Sequence, residues 1–472
     1  MEDKILLTSV IYYSLFHKKI FNNEDENNII KKMPKNTFGV FTTIRRSHIL
    51  HTWPIDIHGC IGYWNSNFNK LNQTDLYYNL LRVSYDALWN DNRKQYFDSI
   101  DNDINSYLEI DFMLQPIYNI DKNTGKIIEL NKSFDNKKFG IIIQNSNKTS
   151  KATYLPDVFP NMSWEKMITS IKNKANINND EYNVFAYKIK QIKTKIISIL
   201  TDKIFISLHL LQFSKLLVST MKFDLPYPFF YSCKNNILEW NTNDNVRNIS
   251  TLGGIIKYIN LYPSIIKKNQ FDFIKQKIFT ILHDYENYTS QTLSFLGFIF
   301  TLYDNTPTNN KNNFCNKLLH DLPSAESEFE KPEIIIGLSN AGCNIDNKKY
   351  ILTFNTNDSI FKMNWTIQAL ISLDKQISSE LITIFESKIN SIIINKNNIE
   401  TNYLAVAFEA LCFLYSSTNK IHLLDKIFQL FLEIEKRKNC HNTLYSFLDN
   451  SSRVDITEHI NNGFFQLLHI HI

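Results

Sequence analysis

The chain has 472 residues, 43% hydrophobic and 13% aromatic, which supplies enough apolar surface for two packed domains and excludes wholesale disorder. Lys plus Arg at 51 against Asp plus Glu at 47 leaves a formal charge of +4, too small for this length to mark a nucleic-acid binder. The six cysteines show no CxxC pair and no His/Cys ligand spacing, which predicts no zinc site, no disulfide and six thiols in a reducing cytoplasm.

Abundant Asn, Lys and Ile, with Gly and Pro at 11 each, are the signature of an A+T-rich genome, and a large DNA virus is one source that fits. The apolar stretch from Ile5 to Phe16 follows Glu2 and Asp3 and lacks a cleavage site, so it reads as an amphipathic first helix, and no apolar run reaches the ~20 residues of a membrane span.

Asn22 to Asn28 reads as a polar, acidic loop. Phe38 to Arg45 has strand alternation, with Val40, Thr42 and Ile44 on one face, and a second extended segment runs through Gly59 to Tyr63. Leu76 to Trp89 has helical spacing. In Tyr107 to Gln115, Leu108, Ile110, Phe112 and Leu114 alternate with Glu109, Asp111, Met113 and Gln115, predicting a strand with one buried and one wet face that ends at Pro116. Short strands at Gly140 to Gln144 and Ala152 to Val158, a helix capped by Ser163, and a long strand from Val184 to Ile196 follow, with Lys188-Ile189-Lys190 and Lys193-Thr194-Lys195 as its solvated face. Strands and helices interleave without a βαβ rhythm, so an α+β fold is expected.

Beyond residue 200 helical stripes dominate: Ile204 to Leu217, Phe271 to Leu282, Thr289 to Leu302, Trp365 to Leu373, Ser379 to Ile393, Tyr403 to Tyr415 and Leu423 to Phe431. They predict an all-α domain of antiparallel helical hairpins, stacked into an arc or an α/α toroid. The domains are set at 1–197 and 198–472, and the Asn-rich stretch Asn309 to Asn313 is expected as a protease-sensitive loop. Gly337-Leu338-Ser339-Asn340-Ala341-Gly342 has one residue too many for a nucleophile elbow and reads as a loop. Glu326, Glu328, Glu330 and Glu333 read as a solvated acidic loop, and Asp455 with Glu458 as a capping box beside a partly buried His459.

The N-terminal region resembles the AMMECR domain family in several motifs taken in order. These are Gly39-Val40-Phe41-Thr42-Thr43-Ile44, then Ile57-His58-Gly59-Cys60-Ile61-Gly62, the partial match Asp91-Asn92-Arg93, the strand Leu108 to Leu114, Thr153-Tyr154-Leu155-Pro156-Asp157-Val158 with Trp164 and Lys174-Ala175, and Val184-Phe185-Ala186-Tyr187. His58 stands where the family has arginine, and Lys94-Gln95-Tyr96 precede Phe97 where the family has a shorter, proline-containing element. The resemblance implies the α+β fold and a place near modification or metabolic pathways, and it leaves the reaction undefined and the cofactor unknown.

Two readings of the motif stay open. In one, Cys60 and His58 form a reactive pair, with Gly59, Gly62, Thr42 and Thr43 lining a ligand surface whose backbone N–H groups bind an anion. In the other, the glycines serve packing where strand meets turn and Cys60 is a small hydrophobe. The expected function is an intracellular binding or interaction protein with a helical scaffold, its partner a protein or small molecule. The alternative is an enzyme using Cys60 and His58.

Overall fold

A computed structural model describes residues 2–16, 19, 21, 23–45, 57–92, 106–158, 162–179, 181–208, 210, 228–232, 237–240, 245–261, 268–302, 308–325, 327–346, 349–437 and 451–470. The chain divides into two compact units, Met1–Leu200 and Thr201–Ile472.

The first unit is α+β. Its antiparallel sheet is built from β1 (Thr37–Arg45), β2 (Ile57–Trp64), β3 (Tyr107–Ile120), β6 (Gly140–Asn145), β7 (Lys151–Tyr154) and β8 (Tyr182–Lys195), in the order β2-β1-β3-β8-β6-β7. A small hairpin, β4 (Lys126–Ile127) and β5 (Lys132–Ser133), hangs from β3. Helix α3 (Gln73–Trp89) packs on β1 and β2, where Thr42 Oγ1 and Ser84 Oγ meet at 2.8 Å. Val40, Thr42 and Ile44 are all buried, as their alternation predicts. Helix α4 (Trp164–Ala175) closes a second core, placing Met167, Ile168 and Ile171 against Ile141, Ile143 and Val184.

Several local readings are corrected. Helix α1 (Glu2–Phe16) is covered on nearly all sides instead of amphipathic, because its polar residues are satisfied locally: Thr8 and Ser14 donate to carbonyls four residues back, and Ser9 meets the Tyr77 hydroxyl at 2.6 Å. The expected acidic loop forms helix α2 (Asn23–Lys31), whose first turn places Glu24, Asp25 and Glu26 at the positive end of the helix dipole. Strand β3 does not end at Pro116. It runs to Ile120 through a register shift between Leu114 and Tyr118, and a proline is tolerated at such a bulge because no ladder donor is needed there. The "wet" face of β3 is also covered, since Glu109 and Asp111 are buried.

In the second unit, six helical segments close into a ring: α6 (Asn245–Leu261), α8 (Ser290–Ser294), α11 (Glu330–Asn340), α12 (Ile360–Ser372), α14 (Thr401–Thr418) and α16 (Val454–Ile470) each pack on the next, and α16 returns to α6. Helix α5 (Ile196–Leu200) ends the first unit, and helices α7 (Lys268–His283), α9 (Ile299–Leu302), α10 (Thr308–Asp321), α13 (Ser379–Ile394) and α15 (His422–Lys436) lie between the ring helices along the chain. Side-chain oxygens start several of these helices: Thr289, Ser359 and Ser378 each accept from a backbone N–H three residues on. With glycine scarce, asparagine takes the left-handed position at helix ends, as at Asn176 (φ 54) and Asn419 (φ 52). Phe431 anchors the core, with its ring 5.0 Å from Phe464 and 6.0 Å from Phe205.

The unit is mostly but not wholly helical, because β9 (Pro228–Ser232), β10 (Ile237–Trp240) and β11 (Ser451–Arg453) form a small antiparallel sheet. Asn309 to Asn313 belongs to the opening turns of α10 and is not a loop, while Gly337 to Asn340 completes α11. Residues 211–217 of the expected helix from Ile204 lie outside the described residues.

The expectation of six thiols is overturned. Cys315 on α10 and Cys343, just after α11, are joined in a disulfide with their Cα atoms 5.8 Å apart, while Cys60 and Cys412 are not bridged. Sequence spacing hid this pair because 28 residues separate cysteines that the return of the chain along α11 brings together. Alkylation of the denatured, unreduced protein is therefore expected to leave Cys315 and Cys343 unlabelled, and labelling of both would contradict the pairing. No helix among the described residues is long and apolar enough to cross a membrane.

Candidate functional site

The Gly59-Cys60-Ile61-Gly62 segment lies in β2, an edge of the sheet, with Thr43 opposite Cys60 and Phe41 opposite Gly62. A methyl group on Gly59 would sit 1.8 Å from the Ala87 carbonyl oxygen of α3, and one on Gly62 would lie 2.2 Å from the Phe41 ring. Both glycines therefore permit close approach from within the domain, and the space beside them that was expected to be bare is filled by the Ala87 backbone and the Phe41 ring. The Thr43 hydroxyl donates to the Cys60 sulfur at 3.1 Å. The Cys60 N–H donates to the Asp91 carboxylate at 2.9 Å, so a protein carboxylate holds the position expected to bind an anion. Two separate motifs of the family resemblance are joined by that bond.

Thr42 lies on the opposite face, engaged with Ser84, and only Thr43 shares the Cys60 face. His58 is in β2, but its side chain lies outside the described residues, as do Arg93 and residues 94–97. The register runs from Gly59 opposite Ile44 to Ile57 opposite Arg45, so the alternation expected to align His58 with Cys60 is interrupted between them.

Beside Cys60 and Thr43 the same face continues into a charged row that sequence reading did not single out. Glu109 lies opposite Thr43 on one side and Lys193 on the other. It accepts from Arg45 at 2.7 Å and pairs with Lys193 at 2.5 Å. The supposed free lysine face of β8 is thus partly committed to Glu109 and to the Tyr107 ring. In the next row Asp111 accepts from Gln191 at 2.8 Å, and burial pushes its carboxyl up to about 6.

A separate concavity is in the helical ring. A cavity of about 330 Å³ adjoins a second of about 340 Å³, and they share Ser250, Phe295, Glu333, Trp365, Glu458 and Asn462 as walls. Thr301 and Asn260 line the first and are exposed to solvent, which places them at its mouth. Lys257 holds its ammonium 4.7 Å from the Phe298 ring centre. Glu333 accepts from Gln291 at 2.6 Å, and Glu458 from Ser250 at 2.9 Å. His459 Nδ1 lies 2.7 Å from Glu409, which also accepts from Asn364 at 2.9 Å, and Gln368 donates to Asn364 at 3.0 Å.

These positions correct two readings. Glu333 is buried within α11 instead of solvated in an acidic loop, and Glu458 is a buried wall residue instead of a helix cap. His459 is partly buried, as expected. The missed signal was a single carboxylate inside an otherwise apolar helical run: Glu333 precedes Ile334-Ile335-Ile336, and Glu409 sits between Phe408 and Ala410. Such a group is stable only beside partners from other helices, which a one-dimensional pattern cannot supply.

Burial pushes the Glu333 carboxyl up to about 8 and the Glu458 carboxyl up to about 7, and it lowers Lys257 from its usual value. A carboxyl whose folded value exceeds its unfolded value binds its proton more tightly in the folded chain. Its contribution to stability is complete below about 4.5 and is lost as pH rises to the folded value. The ring domain is therefore expected to lose stability between about pH 5 and 8, and Glu333→Gln to flatten that decline. Thermal melts across this range check it, and an identical slope in the variant would contradict the burial of a protonated Glu333.

Residues 7–197 match the family model AMMECR1, so the first unit is an AMMECR1 domain. No curated protein and no solved structure matches the chain.

Proposed function

From an AMMECR1 domain joined to a helical ring with a cavity, we propose that the protein binds a small molecule, and that the ring holds it instead of serving as scaffold alone. The observation that carries this reading is the ring closed around paired cavities walled by Glu333, Glu458 and Trp365 and open at Thr301. Concave, largely apolar sites with a few converging polar groups are where small ligands bind, and perturbed carboxyls mark such places.

The AMMECR1 domain has a separate role in this reading. Cys60 and the strand position of His58 form a contact surface for a protein partner or second ligand, with the buried Thr43, Thr42 and Gly59 and the half-buried Gly62 supporting it. The engaged Cys60 N–H favours contact over covalent chemistry at Cys60, because an oxyanion would compete with Asp91. A cytoplasmic location belongs to the same reading. The Cys315–Cys343 bridge weighs against a fully reduced set of thiols.

A thermal-shift panel of small amines, carboxylates and neutral polyols tests the ring site. At least one class is expected to raise the melting temperature of the native chain and to fail with Thr301→Trp, which plugs the mouth. Equal shifts in both proteins, or none with any class, would refute a ring ligand.

A further inference from the structure

The cavity walls carry more than a generic affinity for polar molecules. Four aromatic side chains, Phe295, Phe329, Phe361 and Trp365, line the second cavity together with Glu333 and Glu458. The Phe295 ring lies 5.9 Å from Trp365, and Phe329 lies 6.4 Å from Phe361, each pair edge to face. Aromatic faces carry negative potential and hold cations, most strongly where water is excluded. The ring already does this once, with the Lys257 ammonium over Phe298.

The hydrogen-bonding inventory points the same way. Three carboxyls, Glu333, Glu458 and Glu409, face two basic groups, Lys257 and His459, which leaves the surroundings one positive charge short when all are ionised. Asn402 lines the second cavity, and among the described residues its buried side-chain oxygen has no hydrogen-bond partner, nor has one of the two oxygens of Glu409, the neighbour of His459. Buried acceptors without donors cost free energy until a donor arrives. A neutral polyol brings donors and acceptors in equal measure. An ammonium brings donors and charge.

We propose that the ring cavity binds a small organic amine as its ammonium form, held between the Phe295, Trp365, Phe329 and Phe361 faces and hydrogen-bonded to Glu333 and Glu458. This rests on the reading of the ring as the ligand site and specifies the chemistry of its ligand. Arrival of a cation favours the ionised carboxylates, so binding near neutral pH releases protons. Glu333 is influenced by Gln291, Glu330 and His459, and Glu458 by Ser250, His459, Glu409 and Lys257. Among these, the two carboxyls that titrate up to about 8 and about 7 are the ones that hold protons to release.

Calorimetric titration of the full chain at pH 7.5, in two buffers of different ionisation enthalpy, tests this with benzylamine, benzyl alcohol and benzoate. Benzylamine is expected to bind at least tenfold more tightly than either isostere and to release protons. Glu333→Gln combined with Glu458→Gln should weaken it at least tenfold and abolish the release, with thermal melts confirming that the variant folds. Phe361→Ala should weaken it without abolishing the release. If benzyl alcohol or benzoate binds as tightly and Thr301→Trp prevents it, the ring site stands and the amine is wrong. If none of the three binds, the amine is also wrong, and the polyol and carboxylate arms of the thermal-shift panel decide whether the ring site survives.

Discussion

Gly59→Ala is expected to destabilise the AMMECR1 domain by about 3 kcal/mol or more, at the upper end of what overpacking costs. The added methyl would lie 1.8 Å from the Ala87 carbonyl oxygen and 2.8 Å from the Ala87 carbonyl carbon, both backbone atoms of α3. No side-chain rotation relieves that overlap, so α3 must move away from β2. Displacing it also breaks the Thr42–Ser84 bond and strains the Cys60–Asp91 bond. The midpoint of the domain's thermal transition should fall by roughly 6–12 °C for a domain of this size. Cys60→Ser, which keeps the backbone and a polar atom beside Thr43, should cost less than about 1 kcal/mol. A mild effect of Gly59→Ala beside a severe one of Cys60→Ser would move the meaning of the motif from packing to the thiol.

Glu409→Ala is expected to be the most damaging single change in the ring, costing about 3–5 kcal/mol, the usual penalty for breaking a buried charged network. Glu409 is fully buried on α14 and accepts from Asn364 on α12 and His459 on α16. Alanine strands both donors and opens a void where three helices meet. Glu409→Gln keeps an acceptor oxygen and should lose about half as much. Urea unfolding followed by tryptophan fluorescence measures both, and a loss under about 1 kcal/mol for the alanine variant would remove Glu409 from the role of linking the ring.

The fold was readable wherever a local pattern was enough. Val40, Thr42 and Ile44 alternate and are buried together, and the Leu423 to Phe431 stripe became one face of α15. Local chemistry failed where distant partners decide the outcome. The alternation in β3 identified the strand, but Glu109 is buried because Arg45 and Lys193 reach it from neighbouring strands. Glu333 and Glu458 resembled ordinary surface acids until the ring closed around them. Cys315 and Cys343 showed no pairing signature, since disulfide geometry depends on the path of α10 and α11.

The strand that carries the candidate site was legible. The extended segment expected at Gly59 to Tyr63 lies in β2, and the register puts Thr43 directly opposite Cys60. The family resemblance did not reveal that Asp91 accepts from the Cys60 N–H, because a partial match says nothing about which backbone group its aspartate meets. The ring cavity was invisible to motif reading for a different reason. Its walls come from helices far apart in the chain, and the polar groups that line it stand among apolar residues in each.

Hydrogen exchange of the full chain with and without saturating benzylamine tests the central claim, that the ring is the ligand-binding site, most directly. Exchange is expected to slow in peptides covering residues 290–301, 330–340, 360–372 and 454–466, which wall the cavities, and Thr301→Trp should abolish the effect. Peptides covering residues 57–64 should be unchanged. Slowing confined to the Cys60 strand, with the ring helices unaffected, would contradict the account.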